Sequence, residues 1–337
     1  LLSSSLAVYP DISWLHWFDF FGWYLIYFLI INIVTTERRF LIFLCIFLLA
    51  SFKLSFFGAR TWAMRGFAFT NWGLQGPPGF FQNSGELSVQ MLMFAPLALQ
   101  FATFVKPYVS RPKYWVLLSF PLTAAMTILG ASSRGSQLGL VYQFYRGLLK
   151  GRLSIKTLLV VVALATAGWA VLPEQQKARF NSSGSDTTSQ QRLLYWKHGV
   201  EMIEQHPLLG VGYFNFAPYY TVHYPEDMLY GEAQLPHNIF IQVGTDTGLV
   251  GLTFFVLILY RNFKCGREIQ ARAGPGADFA ASMAKGLNIA MWGFIIAGQF
   301  VTVAYYPFPW VNLALTVALG NIVKRSPRAA PDATPVA

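Results

Sequence analysis

The sequence predicts an all-α polytopic membrane protein, and three observations carry that prediction. Charged residues make up 12% of the chain, about half of the roughly 25% usual in a soluble domain. Hydrophobic residues reach 54% and aromatic residues 17%. Apolar runs recur at the length of about 17 to 25 residues that a helix needs to cross a bilayer.

Taken in chain order, the runs predict nine spans, over residues 18–34, 40–57, 87–105, 114–131, 137–149, 155–172, 239–260, 283–304 and 309–323. The fifth and ninth are short for a crossing. The net charge of +10 would fit a nucleic-acid partner if it were gathered on one soluble face. It is spread over short loops instead, as the positive-inside rule expects of cytoplasmic loops, so no nucleic acid is expected. Arg38, Lys106, Arg146, Arg261 and Lys324, with the basic residues beside them, share one side. Arg60, Arg65, Arg134, Lys177, Arg179, Arg192 and Lys197 share the other. The bias places the C-terminus in the cytoplasm and the second group outside. Nine crossings then begin outside, which implies an odd number of spans upstream.

Four regions follow. Residues 1–172 form an N-terminal transmembrane bundle, expected to lack upstream spans. Residues 173–238 form an outer loop subdomain, 239–325 the C-terminal transmembrane helices, and 326–337 a disordered tail rich in Pro and Ala. Within the loop, Asp186 to Thr188 offer cap oxygens to a helix that Pro207 stops. Leu193, Trp196, Val200 and Ile203 recur at helical spacing as its apolar stripe, which leaves Arg192 and Tyr195 near one edge.

Metal and nucleotide sites have no signature here. The histidines, His16, His198, His206, His223 and His237, include no HExxH pair, and there is no DxD, P-loop or dinucleotide-binding glycine pattern. Cys45 and Cys265 have neither metal nor disulfide spacing. No cofactor and no metal are expected.

What remains is a set of cations at the outer face. Arg134 lies in "ILGASSRGSQLGL", between the fourth and fifth spans, and Arg192 begins the loop helix. His237 lies in "QLPHNIFIQVGTDTGLVGL", after Pro236, a residue suited to the first helical position. Free N–H groups at such a helix start favour an anion and a neutral imidazole able to accept a proton. Forked arginine donors match diphosphate oxygens better than lysines. Arg60, Arg65, Lys197 and the other four histidines are read as structural. Asp246 follows His237 by nine residues, about half a turn out of phase at 100° per residue. It is read as structural with Thr245 and Thr247, satisfying partners in neighbouring helices, beside a close-packing face of Gly244, Gly248 and Gly251.

The order "SSRGS", then "QRLLYWKHGVEMIEQHPLLGVGYFNF", then "PHNIFIQVGTDTGLVGL", resembles the O-antigen ligase-like superfamily: lipopolysaccharide O-antigen ligases, O-antigen polymerases and bacterial O-oligosaccharyltransferases. The resemblance is strongest from Ser132 to Leu252, and "GPPGFFQNSGELSVQMLMFAPLAL" adds to it. It implies a GT-C-type helical bundle in the bacterial inner membrane with one large periplasmic loop subdomain. It also implies an inverting, metal-independent transfer of glycan from a polyprenyl (undecaprenyl) diphosphate donor. The acceptor is a hydroxyl, of lipid A–core in an O-antigen ligase, and membrane lipids surround the whole. Carried over, His237 is the catalytic histidine and Arg134 and Arg192 bind the donor diphosphate. Asn238 and Tyr195 are supporting residues.

A polymerase or a protein O-oligosaccharyltransferase fits the same motifs. A lipid-linked glycan flippase is the alternative of a different class. It would carry charge through its spans, whereas here the spans are charge-poor and the polar groups gather at one face.

Overall fold

The computed structural model describes residues 1–69, 73–81, 83–147, 186–272 and 279–325, with positions 166, 170, 174, 177 and 184 between them. Among the described residues all regular structure is helical, and the chain is a multi-pass membrane protein. Helix α1 (Leu2–Ser5) is a single turn. Helices α2 (Pro10–Ile33), α3 (Glu37–Met64), α4 (Ser84–Val105), α5 (Arg111–Gly130) and α6 (Arg134–Gly147) make the first half. The second holds α7 (Thr187–Gln205), α8 (Phe216–His223), α9 (Ile239–Arg272), α10 (Phe279–Ala297) and α11 (Pro307–Arg325).

Helix α4 is the axis. Every residue from Gly85 to Ala98 is buried, including the polar Glu86, Ser88 and Gln90. Its neighbours are α3, α5, α6 and α10. Because lipid tails are as apolar as Leu, association inside the bilayer rests on close packing and interhelical hydrogen bonds, worth about 0.6 kcal/mol each. The bundle has several. Ser55 Oγ meets Thr123 Oγ1 at 2.9 Å, and Thr127 Oγ1 donates to the Ser55 carbonyl at 2.8 Å. Gln143 Nε2 donates to the Leu92 carbonyl at 2.7 Å, joining α6 to the axis. Helix α2 leaves Leu15, Phe18 and Leu29 exposed, a lipid-facing surface.

Among the described residues six helices are long and apolar enough to cross a membrane: α2, α3, α4 with the turn that follows it, α5, α9 and α10. Of the predicted fifth span, residues 137–147 lie in α6 and the remainder lies outside the described residues. The ninth is α11, with 19 residues, outside the set of six. The predicted span 155–172 and the tail 326–337 lie outside the described residues, as does most of 173–185. The predicted span 283–304 also changes. Helix α10 ends at Ala297, and residues 298–306 turn back over the start of α9. The Gly298 carbonyl accepts from Ile239 N at 2.8 Å, and Ala304 N donates to Gln242 Oε1 at 3.2 Å. Pro307 then opens α11 at a position where its missing N–H costs nothing.

Helix α9 has a kink that its continuous apolar pattern does not reveal. Gly248 adopts φ 66° and ψ −170°, a conformation that L side chains rarely enter. A Cβ there would strike the Leu208 carbonyl. The turn after α7 occupies that space and satisfies the interrupted ladder: Leu249 N donates to the Pro207 carbonyl and Val211 N to the Thr245 carbonyl, both at 2.7 Å. Broken helices persist in membranes only where such partners exist. Gly244 faces Ile203 of α7, while Gly251 faces Thr247 of its own helix, so the predicted close-packing face stops at the kink. Thr245 and Thr247 donate to carbonyls of α9 itself, not to neighbouring helices.

Candidate active site

A cleft of about 680 Å³ opens where four pieces of chain meet, a volume in the usual range for a ligand site. Its walls are Ser84 and Gly85 at the start of α4, Ser132 to Gly135 and Leu138 leading into α6, one side of α7, and Phe300 with Val301. Asp186, Ser189, Arg192, Leu193 and Trp196 come from the start of α7. Gly135 lets α6 press directly on Phe300, where a Cβ would collide with the ring.

Arg134 and Arg192 therefore share one cleft, although they lie far apart in the sequence. Between them stands Asp186. It caps α7, its Oδ1 accepting from Ser189 N at 3.0 Å and its Oδ2 from Ser189 Oγ at 2.7 Å. The same Oδ2 is 3.4 Å from Arg134 Nη2. Burial alone would raise the Asp186 pKa, but the Ser189 bonds and the Arg134 charge outweigh it and hold the carboxyl below its usual value. Arg192 is pulled down by burial and then by Arg134; Asp186 and Tyr230 oppose that pull. Its Nε is buried and has no hydrogen-bond partner among the described residues. Two guanidiniums set against one carboxylate leave excess positive charge, which suits an anionic ligand.

His237 stands beside this pair, past Trp196, and is not one of the cleft-lining residues. Trp196 Nε1 donates to the Pro236 carbonyl at 2.9 Å, and His237 N donates to Thr302 Oγ1 at 2.9 Å. His237 Nε2 lies 3.4 Å from Gln234 Oε1. If that nitrogen carries the proton, Nδ1 is left with its lone pair. Burial, then the Arg192 charge, pushes the imidazole pKa down to about 3, so the ring is neutral at physiological pH.

The expected place of His237 on the first helical turn is corrected. Its φ is 52°, left-handed, and α9 begins only at Ile239. Asn238 takes the cap instead: its Oδ1 accepts from Phe240 N at 2.9 Å and Ile241 N at 3.2 Å. Asn is among the strongest N-cap residues, and His is among the few side chains that tolerate a positive φ. Nor is the helix start open to an anion, since Ile239 N is bound to the Gly298 carbonyl. Anion binding falls to the arginines. Ser132, two residues before Arg134, also has positive φ, at 57°; strain of this kind collects around functional sites.

Tyr195 is not at an edge of α7 but fully buried. Its hydroxyl accepts from Gln234 N at 2.8 Å and so fixes the strand of chain leading to His237. Of the predicted stripe, Ile203 is buried and Trp196 half-buried, while Leu193 and Val200 are exposed; Tyr195, His198 and Met202 are buried instead. His198 joins Glu201 at 2.7 Å and Asp227 at 2.6 Å through its two ring nitrogens. Asp246, expected to be structural, is buried beneath this layer. The Ser3 hydroxyl donates to its backbone carbonyl. Sequence reasoning missed Asp186 as an arginine partner, and also Trp196 and Thr302 around His237. Asp186 was legible only as a cap.

Comparison with known proteins falls on the same segments. A family model described as O-antigen ligase matches residues 120–256, from within α5 through α6, α7 and the first half of α9. Arg134, Arg192 and His237 all lie inside the match. No curated protein matches the chain. Over those residues the chain is similar to that family.

Proposed function

We propose that this protein is an inverting glycosyltransferase, moving a glycan from a polyprenyl diphosphate carrier to an acceptor hydroxyl at the periplasmic face of the bacterial inner membrane. Ligation of O-antigen to lipid A–core is the reaction we assign. One observation carries the reading: Arg134 and Arg192 enter a single cleft against one carboxylate, with a neutral His237 alongside.

In the reaction, an acceptor hydroxyl attacks the anomeric carbon from the face opposite the carrier. The carbon–oxygen bond to the diphosphate breaks, and the diphosphate departs with the electron pair. Backside displacement inverts the anomeric configuration. The hydroxyl proton passes to His237, the positioned base. Arg134 and Arg192 meet the charge developing on the diphosphate, the electrostatic stabilisation that contributes most in such sites. In this role they replace a divalent ion, so the transfer needs no metal.

The low proton affinity of His237 fits this sequence of events. The Arg192 charge is one of its causes. A bound diphosphate offsets that charge, so the imidazole becomes a stronger base once the donor is in place. Asn238 and Tyr195 act as positioning residues, one by capping α9 and the other by holding Gln234.

The test is reconstitution in liposomes with a polyprenyl diphosphate-linked glycan, in buffer containing EDTA. Lipid A–core, a growing glycan and an unfolded secretory protein are offered separately. Transfer to lipid A–core supports the assignment; transfer to one of the others alone moves it within the superfamily. Translocation of the donor without transfer to any acceptor overturns it.

A further inference from the structure

A second groove lies at the end of α9 away from His237. Between the C-terminal halves of α9 and α11 is a space of about 250 Å³. Arg261, Lys264 and Lys324 border it, with Leu313 and Val317 as an apolar wall. Glu268, the carboxylate there, is 4.0 Å from Lys264 Nζ and leaves the cations in excess.

Cations at this membrane face are common as topological anchors, and alone they would carry nothing further. Asn262 is the independent observation. It forms part of the groove wall, is 1% exposed, and has no partner for either Nδ2 or Oδ1 among the described residues. An unsatisfied amide in a protein interior costs about 1 to 3 kcal/mol for each group, and within a bilayer no bulk water relieves it.

We propose that this groove binds the headgroup of an anionic glycerophospholipid from the leaflet opposite the arginine cleft. The lipid phosphate would be held by Lys264, Lys324 and Arg261. Asn262 would donate to a phosphate oxygen through Nδ2 and accept from a headgroup hydroxyl through Oδ1, so one ligand satisfies both ends. Leu313 and Val317 face the glycerol and upper acyl carbons. Basic pockets between membrane helices recognise phosphate headgroups in this way. The lipid would tie α9, which carries the capped start beside His237, to α11, and this holds whatever reaction the cleft performs.

The experiment uses the full chain, delipidated in neutral detergent and titrated with phosphatidylglycerol, phosphatidylcholine or inorganic phosphate. Bound ligand is counted by native mass spectrometry, and the melting temperature is followed in parallel. The expected result is retention of phosphatidylglycerol with a raised melting temperature, and neither effect with phosphatidylcholine or phosphate. Lys264→Gln and Lys324→Gln should each weaken phosphatidylglycerol binding about fivefold. Asn262→Leu, which removes the unpaired amide, should weaken it too while the apo protein melts no lower than wild type. Equal retention of phosphatidylcholine would overturn the proposal, as would unchanged binding in all three variants. A full response to inorganic phosphate alone would overturn the lipid assignment in favour of a free anion.

Discussion

Asp186 Oδ2 lies 3.4 Å from Arg134 Nη2 while the same side chain caps α7, so one carboxylate restrains the charge of the cleft and fixes the helix that delivers Arg192. These two duties can be separated. Asp186→Asn keeps an amide oxygen for the cap and removes the charge. It should lower the KM for the lipid diphosphate donor with little change in melting temperature. Asp186→Ala should instead cost about 1 kcal/mol of stability through the lost cap. Matched KM values in Asn and wild-type proteins would show that Asp186 does not compete with the donor.

Arg134→Lys and Arg192→Lys keep the charge and lose the fork. A compact ammonium cannot reproduce bidentate contacts to phosphate oxygens. Each variant should lose about a hundredfold in turnover, the lower range for deleting one stabilising donor. Near-normal turnover in both, at equal protein levels, would reduce the arginines to membrane anchors.

Much of this architecture was legible in the sequence, and the gaps have physical causes. The spans that become α2 to α5 are visible because lipid-facing and axial helices are both strongly apolar. The kink at Gly248 is not, since a glycine inside a continuous apolar helix leaves the period intact. Hydropathy found only part of the buried face of α7: Ile203 and Trp196 belong to it, but its buried side chains Tyr195 and His198 are polar and hydrogen-bonded, to Gln234 N and to two carboxylates. At the start of α9, Pro236 marked a helix opening, yet Asn238 two residues later is the better cap and displaced His237 from the helix. Both arginines were singled out as diphosphate ligands. Their meeting with Asp186 in one cleft depends on how α6 and α7 dock, which local sequence does not encode.

The depressed pKa of His237 predicts how stability and rate respond to acid. The unfolded imidazole gains a proton below about pH 6.5, whereas the folded one resists until about 3. Folded protein therefore loses stability as pH falls through that window, and His237 contributes nothing to the pH dependence above it. Compared with wild type, His237→Gln should gain melting temperature at pH 5 relative to pH 8. In turnover, kcat/KM reports the free enzyme and should stay flat down to pH 5. The acid limb of kcat reports the donor complex and should lie at higher pH. Coincident limbs near pH 6.5 would mean that His237 titrates as an exposed imidazole.

Orientation is tested by single cysteines in a background lacking Cys45 and Cys265. Glu232 and Arg272 are both exposed; Glu232 precedes α9 and Arg272 is its last described residue, at the opposite end. With intact inner membranes, Glu232→Cys should react with an impermeant thiol reagent from the periplasmic side, and Arg272→Cys should not. The reverse pattern would put the arginine cleft in the cytoplasm and remove the proposed donor from reach.

The most direct measurement is the rate of transfer by purified His237→Ala beside its affinity for the lipid diphosphate donor. The arginines hold the diphosphate and the histidine takes the acceptor proton. Transfer should therefore fall by roughly 10² to 10⁴, while the donor dissociation constant changes by less than about threefold, since no lost contact to the diphosphate is involved. A folded His237→Ala protein with ordinary turnover, or one whose loss lies entirely in donor binding, would contradict the assignment of His237 as the base.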